Sequence, residues 1–153
     1  MSITYTKAKL HDIKAMQELV LPEVKSGVIL FRSDDEVANN IRSYVLAKDG
    51  EHVVGFAALH IHAPDLAEVR SLIVDSHYRG KKIGAELVLF TIQEAKDLGI
   101  KQLFTLTYQK AFFEKLNFKE IPKESLPEHK IWADCVKCKH FPICDEIALI
   151  IKP

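Results

Sequence analysis

The stretch Tyr78-Arg79-Gly80-Lys81-Lys82-Ile83-Gly84 carries the densest chemical signal in the sequence. It follows a strand-like run and precedes a long helical one, so a glycine-bearing turn feeds a helix N-terminus. Such a turn aims backbone N–H groups and the positive end of the helix dipole at one point, where phosphate or pyrophosphate binds. Arg79, Lys81 and Lys82 add positive charge there. The spacing fits neither GxxxxGK[ST] nor GxGxxG, which removes the main support for nucleoside-triphosphate hydrolysis and dinucleotide binding. An ordinary basic turn is the competing reading.

A second group, Cys135-x-x-Cys138-x-His140-x-x-x-Cys144, holds three thiols and an imidazole, the donors of a Cys3His zinc tetrahedron. Structural zinc sites usually join two knuckles across a longer insert, whereas these four residues are compressed into one short stretch. Free thiols are therefore the preferred reading and no metal is expected, with zinc and redox sensing as minor alternatives. His60 and His62 alternate on an apolar strand and are read as satisfied by backbone or water rather than as a metal pair. Trp132 is expected to pack the tail onto the domain.

The elements that must position these groups follow from periodicity. Tyr5 begins a short extended stretch, then Ile13, Met16, Leu19 and Val20 repeat at helical spacing, with Pro22 as the expected stop. Ser33 and Glu36 form a capping box for a second helix, with Val37, Ile41, Tyr44 and Val45 on one face. Tyr44–Lys48 and His52–His62 read as strands joined at Asp49-Gly50, a hairpin signal. The apolar run VVGFAALHIH suits a central strand covered on both faces. Ala67–Asp75 is a further strand, Ala85–Leu98 a long helix closed by Gly99, and Gln102–Tyr108 another strand. Lys110–Leu116 reads as a short helix ended by Asn117, and Phe118–Ile121 and Glu146–Ile151 as extended. Residues 122–145 read as irregular. The order predicts one mixed α/β (α+β) domain over residues 1–153, built on a central sheet flanked by helices.

Composition bounds the function. The 153 residues are 48% apolar and 27% charged, a globular balance long enough to bury a core. Lys plus Arg and Asp plus Glu both total 21, so the formal net charge is zero and nucleic acid is not expected as a partner. No apolar run is long enough to span a bilayer, and the first residues lack the pattern of a secretory signal, so no membrane partner is expected. Three cysteines cannot all pair within one chain, which favours a reducing cytoplasm over a disulfide framework.

The segment Arg79-x-x-Lys82-x-Gly84, between a strand and a helix, resembles the acetyl-CoA loop of the GNAT N-acetyltransferases, Arg/Gln-x-x-Gly-x-Gly/Ala. Ala111-Phe112-Phe113-Glu114-Lys115-Leu116-Asn117-Phe118 resembles that family's A-x-x-F-Y-E-K-x-G-F helix and strand. The order of elements matches as well, which implies a largely antiparallel GNAT-like sheet. Three positions depart from the pattern. Lys82 stands where the first glycine of the pair is usual, so a backbone shape reserved for glycine is not expected there. Phe113 stands where many members carry a tyrosine able to act as general acid, and Asn117 replaces a glycine.

A closer resemblance lies at Ser26-Gly27-Val28-Ile29-Leu30-Phe31-Arg32-Ser33 and in the tail from Leu126-Pro127-Glu128-His129-Lys130 through Trp132 to Glu146. Both are similar to N-acetylglutamate synthases, the tail to their short, single-domain form. The resemblance implies acetyl transfer from acetyl-CoA to the α-amine of glutamate, the opening of arginine biosynthesis, by direct attack in a ternary complex. The same chemistry on glutamine, another amino acid or a protein N-terminus remains open. So do a non-catalytic acetyl-CoA sensor, a small zinc-dependent interaction domain, and a homodimer.

Acetyl transfer to an amine requires proton removal, oxyanion stabilisation and thiolate departure. The resemblance implies Glu68 as general base, through water, against the plainer reading of a partner for Arg70. Backbone N–H groups of Leu72, Ile73 and Val74 are expected to meet the oxyanion, and Arg79, Gly80, Lys81, Lys82, Ile83 and Gly84 the coenzyme. Tyr108, beside Thr107, is the candidate general acid. Arg32, Arg70 and Lys130 are the candidate anchors for a dicarboxylate, a role that suits the planar arginine fork.

Overall fold

The computed structural model describes residues 2–27, 29–126 and 146–153. Lys130, Trp132, Cys135, Cys138, His140 and Cys144 lie outside the described residues. The chain runs β1 (Ile3–Lys7), α1 (Ile13–Ser26), α2 (Asp34–Asn39), β2 (Tyr44–Asp49), β3 (His52–Ala63), β4 (Leu66–Val74), α3 (Ile83–Leu98), β5 (Gln102–Thr107), α4 (Lys110–Glu114), β6 (Lys119–Ile121) and β7 (Ile147–Ile151), with short 3-10 turns between. The strands form one seven-stranded sheet in the order β1-β2-β3-β4-β5-β7-β6. Every neighbouring pair is antiparallel except β4 and β5.

Period-two alternation splits the core between the two faces of the sheet. On β2, Tyr44 and Leu46 pack with Met16 and Val20 of α1 and Val37 of α2, while Val45 and Ala47 pack with Ile83 and Leu87 of α3. A register slip between Ala47 and Lys48 shifts the parity of β3, so Val53 joins Phe56 and Ala58 on the α1 face. Near β5, Leu103, Phe113 and Phe118 gather with Val88, Ile92 and Ala95 of α3. Gly55 lets the α3 layer approach: a Cβ there would stand 2.9 Å from the Ile73 carbonyl oxygen and 3.2 Å from a Leu87 methyl.

Pro22 does not stop α1, which continues to Ser26 and ends at Gly27, φ 82°, whose N–H reaches the Glu23 and Val24 carbonyls. Val24 packs against the core one turn beyond Val20, and this burial carries the helix past the proline; the left-handed glycine then supplies the stop. The second helix is shorter than its apolar spacing suggests. Ser33 Oγ accepts from the Glu36 N–H, but α2 ends at Asn39, and Tyr44 and Val45 belong to β2. The long helix starts at Ile83 rather than Ala85, and the hairpin at Asp49-Gly50 forms as read. Asn117 takes φ 73° after α4, the left-handed shape expected of it.

Candidate active site

Strands β4 and β5 lie side by side for only three residue pairs, Leu66↔Gln102, Ala67↔Leu103 and Glu68↔Phe104. Beyond Glu68 they part. A hydrogen bond from Thr105 Oγ1 to the Val69 carbonyl, 3.2 Å, bridges the start of the fork. A cleft of about 1340 Å3 opens from there, lined by residues 69–74 on one side and 105–109 on the other. Across the same stretch β4 carries an extra residue. Phe56 pairs with Ile73 and Ala58 with Arg70, so Ser71 and Leu72 face Ala57 alone. Ser71 adopts φ 54°, a left-handed backbone in a bulge that bends the strand along the cleft wall. Neither the fork nor the bulge was visible in the sequence, because both depend on pairing between distant segments.

The loop between β4 and α3 closes one end of the cleft. Asp75 Oδ1 accepts the His77 N–H at 2.9 Å, and Tyr78 donates its hydroxyl to Asp49 Oδ2 at 2.8 Å, tying the loop to the β2–β3 turn. Arg79 bends back, with Nε 3.3 Å from the Val74 carbonyl and a guanidinium nitrogen 3.4 Å from Glu23 of α1. Arg79, Gly80, Lys82, Ile83 and Gly84 line the cleft, as do Leu72, Ile73 and Val74; Lys81 is exposed and outside the lining. Ile73 and Ile83 bury their side chains in the core, so their contribution to a ligand falls to the backbone. Lys82 corrects the expectation drawn from its side chain. It takes φ 63° at the head of α3, the left-handed shape that a glycine would hold more cheaply. At Gly84 a Cβ would meet the Phe112 ring at 3.5 Å, an ordinary packing distance, so an alanine would fit at this point of the cleft wall.

At the fork, Glu68 is buried at 8% exposure. Its Oε1 accepts from Arg70 Nε at 2.9 Å and lies 2.8 Å from His62 Nε2. Burial by itself raises the carboxyl pKa, but the hydrogen bond from His62 and the charge and hydrogen bond of Arg70 outweigh it and hold the group below the usual glutamate range. Glu68 and Arg70 thus share a strand face, upstream of the bulge at Ser71 and Leu72. Arg32 lines the cleft at 18% side-chain exposure, its guanidinium 3.8 Å from Glu36. Gln17 of α1 donates to the Arg32 carbonyl at 2.7 Å and to Asp34 at 3.1 Å, pinning the approach to α2 against α1. Tyr108 lines the cleft at 39% exposure, just after Thr107, whose hydroxyl accepts the Gln109 N–H at 2.9 Å. One cleft therefore collects Glu68, Tyr108, Arg32, Arg70 and most of the loop. Sequence reasoning missed His62 as a partner of Glu68, along with Ser71, Phe112 and Glu146 on the lining. The alternation of His60 and His62 was the only available hint.

The sequence matches the acetyltransferase (GNAT) family over residues 11–118. The chain belongs to that family. It is 35% identical to an uncharacterized N-acetyltransferase of Chlorobaculum tepidum, across 94% of this chain and 92% of that one. It is 32% identical to the amino-acid acetyltransferase of Mycobacterium tuberculosis across 75% of this chain and 67% of that protein. The match to the amino-acid acetyltransferase of Vibrio cholerae, 29% identical, spans 81% of this chain but only 28% of that longer enzyme. The fold resembles that of N-acetylglutamate synthase from Neisseria gonorrhoeae, complexed with coenzyme A and N-acetyl-glutamate, at a TM-score of 0.87 and 23% identity, covering 99% of this chain and 35% of that one. A Thermoplasma acidophilum N-acetyltransferase in complex with coenzyme A shares the fold over the whole of both chains, at a TM-score of 0.76 and 20% identity. The GNAT acetyltransferase fold, with its mixed and largely antiparallel sheet, is the one that the resemblance implied. Among the described residues, no helix is long and apolar enough to cross a membrane, and no cluster of metal-ligating side chains is present.

Proposed function

We propose that the protein transfers an acetyl group from acetyl-CoA to the α-amine of a free amino acid, with L-glutamate as the acceptor. The observation that carries the reading is that a single cleft places the helix-initiating loop, residues 79–84, and the group Glu68, Arg70 and Arg32 on connected walls. Amides at the head of α3 suit the coenzyme's diphosphate. The unpaired edge of β4 beside the fork suits a backbone N–H from among residues 72–74 to the oxyanion. Arg32 suits a substrate carboxylate, and Arg70 joins it while holding Glu68. Lys130, from the tail, completes the set of anchors that this reading assigns. The relatives named as amino-acid acetyltransferases support the acceptor class.

In this scheme the neutral amine attacks the thioester carbonyl. As the C–N bond forms, the nitrogen becomes far more acidic than the free ammonium, so a carboxylate held below its usual range still suffices as the base. Glu68 takes that proton directly or through one water. The C–S bond then breaks, the thiolate leaves with its electron pair, and Tyr108 is the proposed donor of a proton to it.

The test is thiol release from acetyl-CoA with a panel of amine acceptors. Glutamate is expected to give the highest kcat/KM. Equal rates with many amines, or a preference for a peptide N-terminus, would remove the arginine-pathway reading, and tight acetyl-CoA binding with no release would recast the protein as a sensor.

A further inference from the structure

Behind Glu68 stands a histidine that the scheme above leaves unused. His62 is the residue at which the β3–β4 register slips: Ile61 pairs with Ala67 and Ala63 with Leu66, leaving His62 without a partner on β4. Its side chain is 2% exposed. The ring stacks on Phe104 at 5.5 Å and 23° and meets His60 edge-on at 4.6 Å. Nε2 lies 2.8 Å from Glu68 Oε1, while Nδ1 is buried with no hydrogen-bond partner. Among the described residues, the titratable and charged groups facing it are Glu68 and Arg70 on β4 and His60 on its own strand; Phe104 is the facing group from β5 and carries no charge.

For a neutral imidazole this arrangement favours one tautomer over the other. A neutral imidazole has one N–H. Placed on Nδ1, that N–H would be a buried donor with no acceptor, and the Nε2 lone pair would face a carboxylate. Placed on Nε2, it donates to Oε1, and both penalties vanish. Arg70 Nε donates to the same oxygen at 2.9 Å. With both donors on Oε1, Oε2 is left as the oxygen that no side chain among the described residues engages. Bulges next to active sites commonly re-aim a side chain in this manner.

We propose that His62 is the positioning residue of the site: as the Nε2–H tautomer it works with Arg70 to turn the Glu68 carboxylate, so that Oε2 faces the cleft and receives the proton of the attacking amine. The proposal rests on the reading of Glu68 as the proton acceptor. His62 touches neither substrate nor coenzyme and acts only through Glu68.

Two variants and one spectrum test it. His62→Phe keeps an aromatic ring against Phe104 and removes the donor, while His62→Gln restores a terminal N–H within reach of Oε1. His62→Phe is expected to lower kcat roughly tenfold to a hundredfold and to leave the acetyl-CoA KM within about twofold. The acidic limb of its kcat/KM profile should move up by about one pH unit or more, because Glu68 stays buried with one donor fewer. His62→Gln should recover most of the rate and return the limb. A wild-type rate and unmoved limb in His62→Phe, alongside a crippled Glu68→Gln, overturns the proposal and leaves the role of Glu68 standing. A fully active Glu68→Gln overturns both. Nitrogen-15 NMR of the wild-type protein decides the matter even if the phenylalanine variant fails to fold. A protonated Nε2 and a bare Nδ1 support the tautomer, and a protonated Nδ1 at neutral pH overturns it.

Discussion

The two ends of the cleft are built on opposite principles. At the loop end, the groups proposed to meet the coenzyme's diphosphate are backbone amides at the head of α3. The side chains there are exposed, or turned into the core as with Ile83, or folded back as with Arg79. At the fork end, the proposed chemistry rests on three side chains, Glu68, Arg70 and His62, largely withdrawn from solvent and joined through one carboxylate oxygen. Backbone sites depend on chain shape and forgive side-chain changes. Buried polar sites depend on each partner, since removing one strands the others without water. Sensitivity to mutation should therefore fall steeply from the fork to the loop.

The largest effect is expected at Glu68. Glu68→Ala leaves His62 Nε2 without its acceptor and takes one acceptor from Arg70, and should cost about 3 kcal/mol of stability in urea unfolding, together with most of the activity. A loss no greater than that of a surface carboxylate would break the contrast. Arg32→Ala comes next: its acceptor KM should rise tenfold or more while the acetyl-CoA KM stays nearly constant, and equal losses for both substrates would mark misfolding instead.

Acid should sharpen the same contrast. Because the folded protein holds the Glu68 carboxyl below its ordinary range, its stabilising contribution is complete above the ordinary glutamate value of about 4.3 and fades as pH falls toward the lower folded value. The stability gap between wild type and Glu68→Gln should accordingly narrow below that pH, and a gap that stays constant would contradict it. The smallest effects belong to the loop. Lys82→Gly relieves a left-handed lysine and should stabilise by about 1 kcal/mol, with a few-fold rise in the acetyl-CoA KM from the lost charge. Lys81→Ala, outside the lining, should change that constant less than about twofold.

Much of the fold was legible because it is written in local pattern. The apolar alternation of β2 and β3, the Ser33 cap and the turn at Asp49-Gly50 each signal themselves over a few residues, and the glycine turn before α3 marked the loop. The unread features share one property, which is dependence on register. The bulge at Ser71 exists only because Ala57 stands opposite two residues, and His62 reaches Glu68 only because the β3–β4 ladder slips at that point. Pro22 misled for a related reason, since its local cost is outweighed by packing of Val24 against a sheet that lies elsewhere in sequence. Lys82 shows the reverse case. Residue type argued against a left-handed backbone, and the junction between loop and helix imposed one.

Gly55 has a reach beyond its own strand. By leaving out one methyl group it lets α3 settle onto β3 at its closest possible depth, and the amides at the head of that helix settle with it. The height of those amides above the carboxylate at the fork is thus governed by an atom the protein does without. A coenzyme seated on those amides, as proposed, would be repositioned by a change at this one strand position, with every residue lining the cleft left untouched.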